Sequence, residues 1–437
     1  MRSLRIICRI IFGIVFIVSG TFKIIDPVGT GLIITEYLHS MHLAFLIGIS
    51  IPIGIALSTL ELILGFCILI GLKMTVISSV ALYLSIFFFF LTLYLALFNP
   101  ISDCGCFGEA IHLTNWQTFF KDVILLLCII PIYLTRKKFI PNTSIFIEWG
   151  VIGIICIFAS VISLNALTRQ PLLEFGSYKP GSDIAFELDE ANQNVEYKTT
   201  LIYMKDGKKK SFTMTNLPDS TWTFVNSKSE LIGKNGRKIF DFSLKNSRGD
   251  YITDSILSSD KPIFIEVISK IDKLNNKKFK EENTDLSKSI ALNGGDFYYM
   301  SCENPEKVDT ILPRGSKILY TDFKTLIALH RSNGGVVYMN DATIVKKWAK
   351  GRLLPRNIKK ILSDDYEVTI AKLNIKHQLI VELFFSLVVL IISVVKIFSK
   401  KYIKEKKLGE HLSIRINFLS ERVRMLQTKL LQYYKRK

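Results

Sequence analysis

The chain has 437 residues, and it combines a hydrophobic fraction of 49% and a mean hydropathy of +0.31 with 22% charged residues. Apolar and charged residues therefore lie in separate blocks, which excludes a soluble enzyme, a disordered chain and a collagen-like chain. Of the net charge of +18, residues 396–437 contribute +10, from thirteen Lys or Arg and three Glu. A basic segment directly after a membrane span is typical of a cytoplasmic anchor, so nucleic acid is set aside as a partner.

Apolar segments of membrane length predict an integral membrane protein with six spans. In chain order they cover residues 6–25, 44–72, 74–98, 116–134, 145–167 and 378–398. Short basic loops mark the cytoplasmic side, and six spans place all of them on one side. We therefore expect a multi-pass protein of the bacterial cytoplasmic (inner) membrane, with both termini in the cytoplasm. The loop 99–115 and the polar segment 168–376 are expected to be extracytoplasmic.

The spans and the polar segment give a predicted order of domains. It consists of a four-helix membrane module (1–140), a fifth transmembrane helix (141–167), a β-rich segment (168–258), an α/β domain (259–356), a linker (357–376), a sixth transmembrane helix (377–398) and a tail (399–437). In the tail, apolar residues alternate steps of four and three from Leu412 to Tyr433. Because many other residues there are basic, we expect an amphipathic helix that lies on anionic membrane lipids.

Strands alternate with helices in 259–356, and a hairpin closes the pattern. This order implies parallel strands with helical crossovers and resembles a thioredoxin-like fold. A thioredoxin-type oxidoreductase needs a Cys-x-x-Cys after its central strand, but residues 269–273 read Ser-Lys-Ile-Asp-Lys. Cys302 is the only thiol of the domain, and Gly334 lies where a proline is expected. We expect the fold to be retained without its redox chemistry.

Two cysteines in the loop 99–115 are the candidate catalytic residues. Cys104 and Cys106 are separated only by Gly105, which permits a tight turn, so they can form a small, strained disulfide. On an oxidising face such a disulfide is of the exchangeable kind. Two alternatives stay open: a passive loop staple, and a metal site completed by Asp103, His112, His39 and His42.

Charged residues near the first two spans are further candidates. Glu61 lies near the middle of the second span, where a carboxylate is a functional hypothesis by default. It is interpreted either as a proton relay or quinone contact, or as a structural partner inside the bundle. Lys23 and Asp26 lie at the outer end of the first span, where anchoring at the interface is expected in preference to a pair near the cysteine loop. A cysteine thiolate is expected to need help from Lys23, His112 or the N-terminus of the fourth span.

A resemblance to a known family rests on motifs spread over the membrane module. These are Ser19-Gly20, Lys23, Asp26-Pro27, the run Asn-Pro-Ile-Ser-Asp-Cys-Gly-Cys-Phe-Gly-Glu over 99–109, and Leu-Thr-Asn-Trp-Gln over 113–117. They resemble DoxX-family membrane proteins, which overlap with the methylamine utilisation protein MauE, and the outer domain is similar to that of long Bacteroides-type members.

The resemblance implies a four-helix module, akin in layout to disulfide-forming quinone reductases, that acts in extracytoplasmic thiol chemistry or with the respiratory chain. MauE-type proteins are associated with maturation of methylamine dehydrogenase, a disulfide-rich enzyme, and work beside a separate thioredoxin-like protein. Here such a domain is expected to be fused to the module.

Three functions are compatible with these residues. The leading hypothesis is a thiol-disulfide redox or maturation factor in which Cys104 and Cys106 exchange disulfides with an extracytoplasmic protein thiol. The alternative is a non-catalytic membrane scaffold that binds a partner through an inert thioredoxin-like domain. The third is an electron-transfer subunit that contacts a quinone through Glu61, and it needs a hydrophobic slot beside that residue. No other cofactor is expected.

The predicted sidedness can be tested by thiol labelling of intact cells. An impermeant reagent should label a cysteine introduced by Ser227→Cys and leave one introduced by Lys137→Cys unlabelled until the membrane is permeabilised. The reverse pattern would show an inverted topology, in which Cys104 and Cys106 lie on the reducing, cytoplasmic side.

Overall fold

The computed structural model describes most of the chain, and two compact units divide it. The described residues are 2–101, 104–138, 145–193, 196–205, 208–213, 222–232, 242–274, 277–313, 315–384, 386, 389 and 393. Unit 1 comprises residues 1–166 and 377–437, and unit 2 comprises residues 167–376. The predicted tail helix at 399–437 lies outside the described residues.

Apolar helices form the described part of unit 1. In chain order they are α1 (Arg2–Ile25), α2 (Pro27–Ser40), α3 (Ser50–Ile70), α4 (Met74–Phe98), α5 (Asn115–Leu134) and α6 (Ile145–Thr168). Short 3₁₀ helices occur at Ala44–Ile49 and Arg136–Lys138, and a short strand, β1, at Cys106–Glu109. Five helical segments of the described residues are long and apolar enough to cross a membrane: Ser3–Ile25, Ala44–Ile70, Met74–Phe98, Asn115–Leu134 and Ile145–Thr168.

Five of the six predicted spans are thus confirmed as helices of membrane length. The sixth, at 378–398, stays a prediction, because residues 366–384 are helical but 394–398 lie outside the described part. Helix α2 is an addition, since the segment between the first two spans was not expected to be helical. Its local signals are a proline at the first turn and Asp26 at the N-cap, where Oδ1 accepts a hydrogen bond from the Gly29 backbone N–H at 2.9 Å.

Helices α1 and α3 approach closely because glycines line their contact. A Cβ atom added at Gly65 would lie 2.9 Å from the backbone oxygen of Gly13, and one added at Gly20 would lie 2.7 Å from the backbone oxygen of Ser58. Small residues at such positions let two backbones pack against each other without a side chain between them. The contact brings the polar residues of α1 and α3 together inside the bundle.

Unit 2 contains two β-sheets and short helices. The helices are α7 (Ile184–Gln193), α8 (Thr253–Leu257), α9 (Lys277–Leu292), α10 (Pro305–Ile311), α11 (Phe323–Leu329) and α12 (Ile358–Ser363). The strands are β2 (Glu196–Lys205), β3 (Lys208–Thr213), β4 (Thr223–Ile232), β5 (Ile263–Ile268), β6 (Asp296–Ser301), β7 (Ile318–Tyr320), β8 (Gly335–Asn340) and β9 (Thr343–Trp348). The antiparallel sheet has the order β3-β2-β4, and the mixed sheet has the order β7-β6-β5-β8-β9.

The mixed sheet is covered by helices on both faces. Strand β5 runs parallel to β6 and antiparallel to β8, and every residue of β5 is buried. Ile265 packs in a cluster with residues of α7, α8 and α11, whereas Phe264 packs in a second cluster with residues of α9, α10 and α12. Successive strand residues point to opposite faces, so β5, which is apolar except for the buried Glu266, fits a strand buried on both sides.

The interval 357–376, which the sequence suggests is a linker, is largely helical. It contains α12 and the first part of the helix at 366–384. The segment 168–258 likewise contains α7 and α8 beside its strands. The alternation of strands and helices expected over 259–356 is present in the described residues.

The close approach of α1 and α3 predicts opposite effects for one substitution at two membrane glycines. Gly65→Ala should destabilise the full chain by about 1–3 kcal/mol, because the new methyl group meets the backbone of α1. Its thermal midpoint in detergent should therefore be lower than that of the wild type. Gly153→Ala in α6 is the matched control, since nothing lies within 4 Å of its added Cβ. That change should be neutral or stabilising, because alanine favours a helix by about 1 kcal/mol over glycine. Equal midpoints for both variants would contradict the packing argument.

Candidate functional site

The first residues of α5 fix the loop that carries the cysteine pair. Thr114 caps α5 and forms a reciprocal capping box with Gln117. The buried Asn115 donates through Nδ2 to Asn99 Oδ1 at 2.6 Å and to the backbone oxygen of Ile101 at 2.8 Å. These hydrogen bonds hold both ends of the loop against the start of α5.

Cys104 and Cys106 lie side by side as free thiols. Their Sγ atoms are 2.8 Å apart, compared with about 2.05 Å in a disulfide. Gly105 between them has a φ of +59°, and a Cβ there would lie 2.2 Å from Cδ1 of Ile33 in α2. Only glycine fits this turn, for both its left-handed backbone and its close neighbour. Cys104 is 3% exposed, whereas Cys106 is partly exposed.

The two thiols have different acidities. The hydrogen bond from Cys106, with smaller contributions from the Thr118 hydroxyl at 3.3 Å and from the Lys121 ammonium, lowers the pKa of Cys104 to about 7 against the opposing effect of burial. The same hydrogen bond, together with burial, raises the pKa of Cys106 well above its ordinary value. At pH 7 about half of Cys104 is therefore a thiolate, whereas Cys106 is a protonated thiol.

Lys121 supplies a positive charge that favours the Cys104 thiolate. The sequence suggests Lys23, His112 or the N-terminus of the fourth span for this role. Its Nζ lies 2.8 Å from Oδ1 of Asp122 and 5.4 Å from the ring centroid of Phe107. The charges of Lys121 and Asp122 suggest from the sequence that the start of the fourth span lies at the interface, but Asp122 is 3% exposed and faces inward. Charged residues inside a span are themselves the signal for a site.

Glu61 is held by residues of α1. Lys23 Nζ lies 2.7 Å from Glu61 Oε1, and the Ser19 hydroxyl lies 2.8 Å from Glu61 Oε2. The expectation that Lys23 anchors the interface is wrong, because Lys23 is 8% exposed and pairs with a carboxylate in α3. Ser19 Oγ also lies 2.7 Å from the backbone oxygen of Cys106. Glu61 is thus connected to the cysteine loop through one serine.

A cavity of about 310 Å³ links these groups. Side chains of α1 to α5 and the cysteine loop line it, and most of its wall is apolar. Its polar lining includes both cysteines, Lys121, Asp122 and Glu61. The hydrophobic slot that a quinone contact requires beside Glu61 is therefore present. The cysteine pair lies on the same cavity.

The metal-site alternative gains no support within the described residues. No group of three or more His, Cys, Asp or Glu side chains in that part of the chain converges closely enough to hold a metal ion. Asp103, one of the ligands considered, lies outside the described residues. The described ligands considered, among them His112, His39 and His42, do not form such a group with the cysteines.

In unit 2, the loop that follows β5 occupies the place where a thioredoxin-type oxidoreductase has its dithiol. Side chains hydrogen-bond to the backbone of this loop. Asn333 Oδ1 accepts hydrogen bonds from the backbone N–H of Ser269 at 2.8 Å and of Lys270 at 3.1 Å. Glu303 Oε1 accepts another from Ile271 N–H at 3.0 Å. Cys302 lies just after β6 and is half-buried, and burial raises its pKa. Cys302 is therefore not an activated thiol.

Comparisons with known proteins match two parts of the chain. A family model described as methylamine utilisation protein MauE matches residues 1–134, from α1 to the end of α5. A second model, described as a domain of unknown function (DUF8463), matches residues 197–234, which include most of the antiparallel sheet. No curated protein matches the chain. The first match and the five apolar helices together indicate a multi-pass membrane protein.

The unequal acidity of the pair predicts the pH dependence of Cys104 alkylation. As pH rises through about 7, the thiolate fraction of Cys104 should rise, so its rate of reaction with iodoacetamide should reach half its maximum there. At pH 7 this gives about 50-fold more thiolate than a thiol of pKa near 9. In Cys106→Ala the midpoint should move upward, because the hydrogen bond that stabilises the thiolate is lost. Peptide mass spectrometry measures both rates.

Cys302 is the internal control for this measurement. Because burial raises its pKa, its alkylation in the same samples should increase only at higher pH. A Cys104 midpoint near 9 in both the wild type and Cys106→Ala would contradict the assigned acidity.

Proposed function

We propose that the chain is a membrane-bound thiol-disulfide redox factor that exchanges disulfides with extracytoplasmic protein thiols through Cys104 and Cys106. The observation that carries the proposal is the pairing of two free thiols, 2.8 Å apart, of which one has a lowered pKa. A passive loop staple has no need of unequal acidity or of a cation beside the sulfurs. Perturbed pKa values of this kind cluster at functional sites.

The two cysteines have different roles in the proposed exchange. A substrate thiolate attacks the Cys104–Cys106 disulfide at Cys106 and forms a mixed disulfide, while Cys104 leaves as the thiolate. Thiol-disulfide exchange is faster when the leaving thiol has the lower pKa, which favours Cys104 as the leaving group. Cys106 is also the more exposed of the two, so it is the sulfur that a protein substrate reaches.

A second substrate thiolate completes the exchange. It attacks the substrate sulfur of the mixed disulfide, so that the substrate gains a disulfide and Cys106 leaves as a thiolate and takes up a proton. One disulfide is lost by the chain and one is gained by the substrate, and the chain ends with two reduced cysteines. A further oxidant must then restore its disulfide.

Unit 2 is proposed to be a thioredoxin-like domain that binds a partner without redox chemistry. Its strand order β6-β5-β8-β9, with β8 antiparallel to the other three and β7 added at the edge beside β6, supports this assignment. The hydrogen bonds from the backbone at Ser269 and Ile271 to Asn333 and Glu303 support a closed, inactive loop. A scaffold function, in which partner binding by unit 2 is the whole activity, is therefore the second candidate.

The wider setting belongs to the same proposal. We place the chain in the DoxX group that overlaps with MauE, in the inner membrane, with unit 2 extracytoplasmic and both termini cytoplasmic. The family match over residues 1–134 favours a role related to methylamine utilisation, with the maturation of a disulfide-containing protein as the chemistry. The basic tail is proposed to bind anionic lipids.

The proposal can be tested by trapping mixed disulfides in cells. Cys104→Ser should accumulate a mixed disulfide between Cys106 and a substrate that disappears on reduction, because Cys104 is no longer present to attack Cys106 and release the substrate. Cys106→Ser should accumulate much less, since Cys104 is buried. Non-reducing electrophoresis with mass spectrometry detects the trapped species, and Cys302→Ser serves as the control. Absence of a mixed disulfide in both variants, at normal membrane levels, would leave the scaffold function in place.

A further inference from the structure

The cavity beside the cysteine pair has the properties of a site for a flat, lipid-soluble oxidant. Resting on the proposed function, we infer that this cavity binds a quinone, which accepts the two electrons released when Cys104 and Cys106 form their disulfide. The quinone is then the oxidant that re-forms the disulfide after each exchange.

The size and the walls of the cavity fit a quinone ring. Its volume of about 310 Å³ is at the lower end of the range of about 300–1,000 Å³ for small-molecule sites. Apolar side chains from α1 to α5 surround it, among them Val15, Ile33, Leu57, Phe88 and Leu125. A flat, apolar ring is bound in such a space by dispersion and by exclusion of water.

The polar groups of the cavity fit the chemistry of quinone reduction. Reduction places negative charge on the ring oxygens, and Lys121 and Lys23 line the cavity with positive charge. Asp122 Oδ2 is buried and has no hydrogen-bond partner among the described residues, although its other oxygen pairs with Lys121. A buried carboxylate oxygen without a donor is costly. The hydroxyl group of a hydroquinone supplies that donor, whereas an acyl chain does not.

The reaction balances without another reactant. In the dithiol form of the pair, the S–H bonds of Cys104 and Cys106 break and one bond forms between their Sγ atoms; where Cys104 is already a thiolate, the second proton comes from the solvent. The two electrons and two protons convert the quinone to a hydroquinone. The pair is oxidised, the quinone is reduced, and the hydroquinone leaves by way of the cavity.

The test uses the full chain in detergent, reduced and then freed of reductant, with decylubiquinone added in the absence of oxygen. We expect each chain to consume one decylubiquinone, followed by its absorbance, while the peptide carrying Cys104 and Cys106 loses two hydrogens by mass spectrometry. The double variant Cys104→Ser, Cys106→Ser should consume none. A double variant that consumes the quinone as fast as the wild type would overturn the inference.

A cavity-filling variant tests the location of the quinone. Leu57→Trp should slow quinone consumption at least tenfold, because the larger side chain occupies the cavity, while diamide should still oxidise the pair at the wild-type rate. Leu127→Trp is the matched control, since Leu127 is 63% exposed in α5 and does not line the cavity. It should consume quinone at the wild-type rate. Equal rates for both tryptophan variants would also overturn the inference.

The failure of this inference and the failure of the proposed function give different results. If the wild type forms mixed disulfides with partner thiols and is oxidised by diamide but consumes no decylubiquinone, the quinone assignment is wrong and the redox function stands. If the pair neither forms mixed disulfides nor changes state in glutathione mixtures, the proposed function itself is wrong.

Discussion

The buried ion pair between Lys23 and Glu61 is the interaction on which the candidate site depends. Each ion costs several kcal/mol to remove from water, so the pair is stable only with close geometry and further hydrogen bonds. The glycines between α1 and α3 allow the two helices to approach closely, so that Lys23 Nζ lies 2.7 Å from Glu61 Oε1. Ser19 extends the pair to the backbone of Cys106. Because a hydroxyl has one proton, Ser19 donates to one of its two neighbouring oxygens at a time, which couples the carboxylate to the cysteine loop.

The surrounding bundle makes these few charges effective. Lys23 and Lys121 each have a carboxylate within 2.8 Å, so neither is an isolated charge in an apolar region. Electrostatic interactions are stronger there than in water, because the effective dielectric constant is low. A lysine that already has a counter-ion can still stabilise a nearby thiolate, and Lys121 does so for Cys104. The acidity of the pair is therefore a property of the packed helices as well as of the Cys-Gly-Cys motif.

Most of the fold and part of the site could be predicted from the sequence. Spans such as 74–98 are recognisable from length and apolarity alone, and the β5 to β9 region from local alternation and turns. The cysteine pair was recognisable because only one residue separates its two members in sequence. The partnership of Lys23 with Glu61 was not, because 38 residues separate them and only the packing of two helices brings them together. The place of Lys121 beside the thiols could not be predicted, because local composition describes the cost of a charge and not its partner.

The two units differ in which groups their hydrogen-bond donors serve. In unit 2, the backbone donors at Ser269 to Ile271 bind side chains of Asn333 and Glu303, so these three donors do not stabilise a thiolate. In unit 1, the corresponding stabilisation comes from a neighbouring thiol, a hydroxyl and a lysine around Cys104. Thiolate chemistry requires hydrogen-bond donors or positive charges that act on the sulfur. This difference favours the membrane module over unit 2 as the place of the proposed redox chemistry.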